Sequence, residues 1–357
     1  MSKLYPVGVQ NFEKVILGGY EYVDKTALIY QLFNTGSYYF LSRPRRFGKS
    51  LLLSTLEAYA QGKKELFKGL ALEKLEKDWT VYPVLHLDLN TQKYDTPESL
   101  TNVLEENVQN WEALYGASSS EIGVARRFQG IIRRVCEQTG RRVVILIDEY
   151  DKPMLQAIGN EALQNEYRST LKAFYGALKS MDGCIRFALL TGVTKFGKVS
   201  VFSDLNNLMD ISMDDRYVEI CGISEKEIHT YFEEDIHALA TATGLTYEET
   251  CAELKSNYDG YHFTENAVGM YNPFSLLNTF AKKKFGSYWF ETSTPTYLVE
   301  LLKLHHYPIE ELEHIVTSQP VLDSIDTAST DPIPVIYQSG YLTIKGYNKM
   351  FENYTLG

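Results

Sequence analysis

Two rhythms of apolar residues divide the chain. From the start to about residue 222, short apolar runs alternate with stretches in which apolar residues return every three or four positions. That alternation is the signature of an α/β domain with a largely parallel sheet. The expected strands are 38–42 (YYFLS), 83–89 (PVLHLDL), 143–148 (VVILID), 186–192 (RFALLTG) and 217–221 (YVEIC). Four of the five are continuous apolar runs, as strands covered by helices on both faces require. Helices are expected near 49–61, 97–115, 121–139 and 161–181. Ahead of the first strand, VILGGYEYV reads as a hairpin about Gly18 and Gly19, and DKTALIYQLF as a helix capped by Asp24.

Past residue 222 the texture changes. Ser224 and Glu227 form a capping box, and helical runs follow at IHTYFEEDIHALATATG, TYEETCAELKSNY, PFSLLNTFAKKKF and TPTYLVELLKLHH. PVIYQSGYLTIKGYN and YTLG read as strands of a small C-terminal sheet. The expected division is an α/β domain with its lead-in over 1–222, a helical lid over 223–290 and a small α+β region over 291–357.

The stretch YYFLSRPRRFGKSLLLSTLEAYA brings chemistry to this frame. A strand, a glycine-containing loop, Lys49-Ser50 and an apolar helix make the geometry of a phosphate site. Backbone N–H groups and the helix dipole face the anion, a lysine bridges terminal phosphates and a hydroxyl holds magnesium. The residues expected at a nucleotide are Arg46, Phe47, Gly48, Lys49, Ser50 and Leu51. Arg43 stands where the first glycine of such a loop belongs, and with Arg45 and Arg46 it gives the loop three cations, of which Arg46 is the one expected to reach phosphate. The alternative is a turn, a surface lysine and a helix cap.

A second motif lies in the right order. RRVVILIDEYD ends an apolar strand in Asp148 and Glu149, the first placed to hold the magnesium shell with Ser50 and the second to polarise an attacking water. Strands also end in acids for no catalytic reason. Thr191, at the end of RFALLTG, is a candidate sensor of the γ-phosphate, or simply a threonine capping a strand. These Walker A-like and Walker B-like motifs narrow the fold class to a P-loop NTPase three-layer sandwich with a mostly parallel five-stranded sheet.

Composition adds limits. A formal net charge of -11 argues against a surface basic everywhere, though a local groove could hold nucleic acid. Arg126, Arg127, Arg133 and Arg134 fall in pairs seven residues apart and draw a basic stripe along one helix, for nucleic acid, for an acidic neighbouring subunit, or for solvent alone. Cys136, Cys184, Cys221 and Cys251 form no Cys-x-x-Cys pair, and His86, His229, His237, His305 and His306 lack metal spacing. No apolar run approaches a membrane span and no signal core opens the chain, so a cytoplasmic location without membrane attachment is expected.

The chain resembles the bacterial and archaeal AAA-ATPase-like proteins, relatives of the archaeal ATPases. The resemblance rests on VGVQNFEKVILGGYEYVDKT, FLSRPRRFGKSLLLSTLEAY, VVILIDEYDKP, LLTGVTKFGKVSVFSDLNNL, YDGYHF and YNPFS, and covers nearly the whole chain. It implies that RPRRFGKS is a usual form of the loop, that ATP and magnesium are the cofactors, and that Lys49, Ser50, Asp148, Glu149 and Thr191 carry the family's roles. Asn272 and Pro273 of YNPFS would contact the nucleotide from the lid, or merely open a helix. Longer members continue into a PD-(D/E)xK nuclease-like domain, which this chain is expected to lack. Three functions are compatible: a Mg-dependent ATPase driving a conformational switch, a nucleotide-gated interaction module with little turnover, and a small-molecule kinase. A homo-oligomer or a protein partner fits the first two.

Overall fold

The computed structural model describes residues 3–196, 207–265, 269–289, 298–299, 302–303, 315–322, 325 and 331–357. The helices that flank the first strands are α1 (Phe12–Leu17), α2 (Thr26–Thr35), α3 (Lys49–Ala60), α4 (Ala71–Leu75), α5 (Pro97–Tyr115), α6 (Val124–Thr139), α7 (Lys152–Gln156) and α8 (Glu161–Ser180). Strands β1 (Tyr38–Ser42), β2 (Val84–Asp88), β3 (Val143–Asp148), β4 (Ile185–Gly192) and β5 (Met209–Asp210) form one all-parallel sheet in the order β2-β3-β4-β1-β5.

Period-two alternation sends each strand's apolar residues to both faces. Ile145, Ile147, Ala188 and Leu190 join one core with Leu104 of α5, Phe128 and Ile131 of α6, and Phe174 of α8. Val144, Leu146, Phe187 and Leu189 join the other with Phe12 of α1, Leu32 of α2, and Leu53 and Leu56 of α3. The result is an α/β sandwich of three layers. Because β4 pairs with both β1 and β3, the end of β4 lies between the loop after β1 and the acids after β3.

Several expectations need correction. The run at 217–221 is no strand: Asp215–Ile220 is a 3₁₀ helix that buries Tyr217, Val218 and Ile220. The fifth strand is β5, two residues long. VILGGYEYV holds no hairpin, since Phe12 and Val15 are three apart and both buried, which makes α1 a helix capped by Asn11. Gly18 ends it, and Tyr20 pairs in parallel with Leu4. Asp24 does bind the start of α2, but its carboxylate accepts from Thr26 N and Thr26 Oγ1 and, across the fold, from Ala71 N.

Beyond this sheet, β6 (Ile223–Ser224), β7 (Tyr261–His262) and β8 (Gly269–Tyr271) make a small antiparallel sheet. It packs with α9 (Glu225–Tyr231), α10 (Glu233–Thr243), α11 (Tyr247–Tyr258) and α12 (Pro273–Lys282). The capping box at Ser224 and Glu227 forms as expected, but the long helical run after it breaks at Phe232. The run TPTYLVELLKLHH lies, for the most part, outside the described residues. At the C-terminal end β9 (Ile315–Ser318), β10 (Ile344–Asn348) and β11 (Asn353–Leu356) form an antiparallel sheet in the order β10-β11-β9. PVIYQ, expected as strand, is the helix Ile333–Gln338, started by Pro332 and Pro334. Ile333, Ile336, Ile344 and Leu356 share a core with one face of the parallel sheet.

Candidate functional site

Arg46 to Leu51, Asp148, Glu149 and Thr191 all fall at the C-terminal end of the parallel sheet, where open α/β sheets bind ligands. The loop after β1 bends through two left-handed residues, Arg46 (φ 67°) and Gly48 (φ 95°), before α3 begins at Lys49. Arg46 tolerates that backbone at a cost that glycine avoids, and alternation of this kind turns successive N–H groups toward one concavity.

Lys49 is buried, and its ammonium donates to the carbonyls of Arg43 (3.0 Å) and Pro44 (3.3 Å) and lies 3.7 Å from Glu149 Oε1. It is held by weakly competing acceptors rather than by a tight ion pair. The Ser50 hydroxyl donates to Asp148 Oδ2 at 2.5 Å, joining the start of α3 to the end of β3. A hydroxyl beside a carboxylate is an oxygen donor set of the kind magnesium takes. Thr191 Oγ1 donates to Asp148 Oδ1 at 2.6 Å and is fully buried, so it stands behind the aspartate and orients it. Glu149 adopts φ 52°, and its N–H also reaches Asp148 Oδ1, at 3.0 Å.

A cavity of about 300 Å³ opens over these groups. Arg46, Gly48, Lys49, Ser50, Leu51 and Glu149 line it. Asn90, Lys152, the lead-in from Pro6 to Gln10, and Pro273, Phe274 and Leu277 of α12 close its other sides. The Arg46 guanidinium stacks on Phe274, 4.8 Å from the ring centroid. Phe47 differs from its neighbours: its ring points into the core against Tyr261 (4.8 Å) and Phe263, and it does not line the cavity as expected, because its apolar ring is taken up by that packing. Of the YNPFS motif, Pro273 and Phe274 face this cavity whereas Asn272 does not.

Sequence reasoning named for the site neither Lys152 and Asn90, nor Asp151, nor any residue of Pro6–Gln10. Lys152 donates to Asn90 Oδ1 beside Glu149, and burial pulls its ammonium below the ordinary lysine range. The signal available was its place directly after the acidic strand end. Pro6–Gln10 belongs to the lead-in, whose stretch VGVQNFEKVILGGYEYVDKT carried the resemblance without singling out a residue for the site. Asp151 is fully buried and accepts from Val193 N (3.0 Å), Thr194 N (2.6 Å) and Thr194 Oγ1 (2.6 Å), which clamps the loop after β3 to the end of β4. Burial, aided by the charge of Glu149, pushes its carboxyl up to about 6.

The arginine stripe on α6 is partly spent inside the fold. Arg127 pairs with Glu105 and with Glu112 (2.6 Å) on α5, and Arg134 with Glu121 (2.7 Å), while Arg126 and Arg133 remain exposed.

Comparison with known proteins settles the kinship. Residues 6–202, more than half of the chain, match the family model described as predicted AAA-ATPase. The chain belongs to this AAA-ATPase-like family. A curated relative, the "Uncharacterized protein in vnfD 5'region" of Azotobacter chroococcum mcd 1, is 39% identical over 344 residues. That alignment covers 96% of this chain and 64% of the relative, so the chain spans less than two thirds of that protein's length. The AAA-ATPase-like match runs from the lead-in through the phosphate loop and past β4, and is consistent with nucleotide binding at the cavity. Among the described residues of this AAA-ATPase-like chain, no helix is long and apolar enough to cross a membrane.

Proposed function

We propose that this chain binds ATP with magnesium in the cavity above Lys49 and hydrolyses it to drive a conformational switch. The observation that carries the reading is the direct bond from Ser50 Oγ to Asp148 Oδ2, which joins the two motifs at one end of the sheet. The triphosphate lies along the loop, with the N–H groups from Gly48 to Leu51 and the α3 dipole facing its oxygens. Lys49 leaves the Arg43 and Pro44 carbonyls to bridge terminal phosphates, and Arg46 adds a second cation from its seat on Phe274. Ser50 and Asp148 would hold magnesium, which would supply charge neutralisation at the phosphate oxygens.

Glu149 orients the attacking water and accepts its proton as the water oxygen bonds to the γ-phosphorus and ADP departs. Thr191 keeps Asp148 in place, and so senses the state of the site through the aspartate. The helical segment over 223–290 acts as the lid, because Pro273, Phe274 and Leu277 of α12 wall the cavity opposite the loop.

Turnover of ATP by wild type and by Glu149→Gln tests the catalytic part. The variant is expected to hydrolyse ATP about 100-fold or more slowly, the usual size of a general-base contribution, while still binding it. Equal rates in the two proteins end the hydrolytic claim and leave a nucleotide-gated module.

A further inference from the structure

Residues 149–152 turn the chain from β3 into α7, and their side chains divide by position. Tyr150 and Asp151, the middle pair, are fully buried, while Glu149 and Lys152, the outer pair, line the nucleotide cavity. Lys152 N donates to Glu149 O at 3.0 Å, which closes the turn, and Pro153 follows at the start of α7. The middle pair fastens the turn to the end of β4. Tyr150 N donates to Thr191 O (3.0 Å) and the Tyr150 hydroxyl to Thr194 O (2.9 Å), beside the bonds that Asp151 accepts from Val193 N and Thr194 N. One fixed piece of backbone therefore presents both Glu149 and Lys152 to the cavity.

The ammonium of Lys152 has one hydrogen-bond partner among the described residues, the neutral amide oxygen Asn90 Oδ1, which belongs to a second residue of the cavity wall. Asn90 is itself fixed at the end of β2 by its N–H, which donates to Asp88 Oδ1 at 2.7 Å. Other half-buried lysines pair with carboxylates: Lys25 with Glu227 at 2.5 Å, and Lys195 with Asp210. An amide oxygen is a weaker acceptor for an ammonium than an anionic oxygen, so a phosphate can displace it. Burial, with the charge of Arg45 adding to it, lowers the pKa of Lys152, while Glu149, Asp88 and Asp151 oppose that shift and favour the ammonium. From the side of the phosphate loop, Lys49 Nζ comes within 3.7 Å of Glu149 Oε1. Two lysines thus reach the surroundings of one carboxylate from different elements.

We propose that Lys152 is a second catalytic cation of this site: with ATP in the cavity, its ammonium passes from Asn90 Oδ1 to the γ-phosphate oxygens, on the side of the β3 turn as Lys49 does on the side of the loop. This role rests on the reading of the cavity as an ATPase site. In the hydrolytic step the water oxygen bonds to the γ-phosphorus, the bond from phosphorus to the ADP oxygen breaks, and Glu149 takes the water proton. Lys152 keeps its own protons. It donates hydrogen bonds to the phosphoryl oxygens, which carry the charge in the transition state. That is the work an arginine, supplied in cis or by a partner, does in other nucleotide hydrolases.

Single-turnover cleavage of ATP with magnesium, and calorimetric titration of ADP with and without aluminium fluoride, test this on wild type, Lys152→Met, Lys152→Gln and Glu149→Gln. Circular dichroism checks that the variants fold. ADP lacks the γ-phosphate, and aluminium fluoride beside it mimics the phosphoryl group in transfer. Both Lys152 variants are expected to cleave ATP about 100-fold or more slowly and to bind ADP with aluminium fluoride about tenfold or more weakly, the loss of a donor to transition-state charge. Their affinity for ADP alone is expected to match that of wild type. Slow cleavage with an equal loss of affinity for ADP alone means that Lys152 only shapes the site, and it overturns the proposal. Cleavage by the Lys152 variants at the wild-type rate overturns it too; if Glu149→Gln is slow in the same assay, the ATPase reading stands and the role of Lys152 alone falls. A wild type that cleaves no ATP overturns both.

Discussion

Arg43 stands where a glycine opens the common phosphate loop, and the backbone there needs no glycine, since the positive φ values of the loop fall at Arg46 and Gly48. The side chain instead runs into the core, 1% exposed, where its Nη1 donates to Ser42 O (2.9 Å) and Ser212 O (2.7 Å) and its Nη2 to Tyr217 O (3.3 Å). Its guanidinium lies 4.0 Å from the centroid of Phe263. Arg43 is thus a strut beneath the loop and not a phosphate ligand. Arg43→Ala leaves those carbonyls unpaired and is expected to cost about 3 kcal/mol in urea unfolding. A loss under about 1 kcal/mol would mean that the strut is dispensable. Asp151 makes a prediction of a different sort. Its carboxyl is pushed up to about 6 from 3.8, so the folded state holds a proton that the unfolded chain releases. Its contribution to stability is full below about pH 4 and is lost as the pH rises through about 6. The Tm of wild type minus that of Asp151→Asn, measured without nucleotide, is expected to fall across that window; a flat difference contradicts the assignment.

At the scale of elements, β1, β3 and β4 were legible because each is a nearly continuous apolar run with both faces covered, and the edge strand β2 because Leu85 and Leu87 alternate with less buried residues. Helix α5 was equally plain, with Pro97 at its first position and Gly116 at its end. The errors have physical causes. Tyr217, Val218 and Ile220 are buried as a strand's residues would be, but they reach the core from a 3₁₀ turn, and periodicity over five residues does not separate the two. The true edge strand β5 is too short to leave a pattern. In the site, the motif residues were legible from spacing alone, whereas Asn90 and the Pro6–Gln10 wall were not, because they are brought there by tertiary packing. Gly340 is another residue that only packing explains. It has φ 88°, and a Cβ there would lie 2.8 Å from Pro44 Cβ and 2.9 Å from Tyr261 Cε1, so glycine lets the C-terminal segment press on the phosphate loop. Gly340→Ala is expected to destabilise the protein by more than about 1 kcal/mol, seen as a lower denaturant midpoint. An unchanged midpoint would show that the segment yields freely.

At the scale of the whole molecule, the phosphate loop is contacted from three directions. The lead-in and α12 wall its open side, Trp289 holds Arg45 O, and Gly340 abuts Pro44. Below it, Asp151 ties the β3 end to Thr194, and Lys195 N in turn donates to Gln338 Oε1 of the C-terminal helix at 2.7 Å. Asp148, bonded to Thr191, is thereby connected through the end of β4 to the C-terminal helix, the path by which the proposed switch would act. The account stands or falls on whether ATP occupies the cavity over Lys49. Titration calorimetry of ATP with magnesium into wild type and Lys49→Ala measures this directly. The expected result is saturable binding of one ATP per wild-type chain and affinity about tenfold or more weaker in the variant, the loss of a charged hydrogen-bond donor to phosphate. No binding to the wild type, or equal affinity in both proteins, would contradict it.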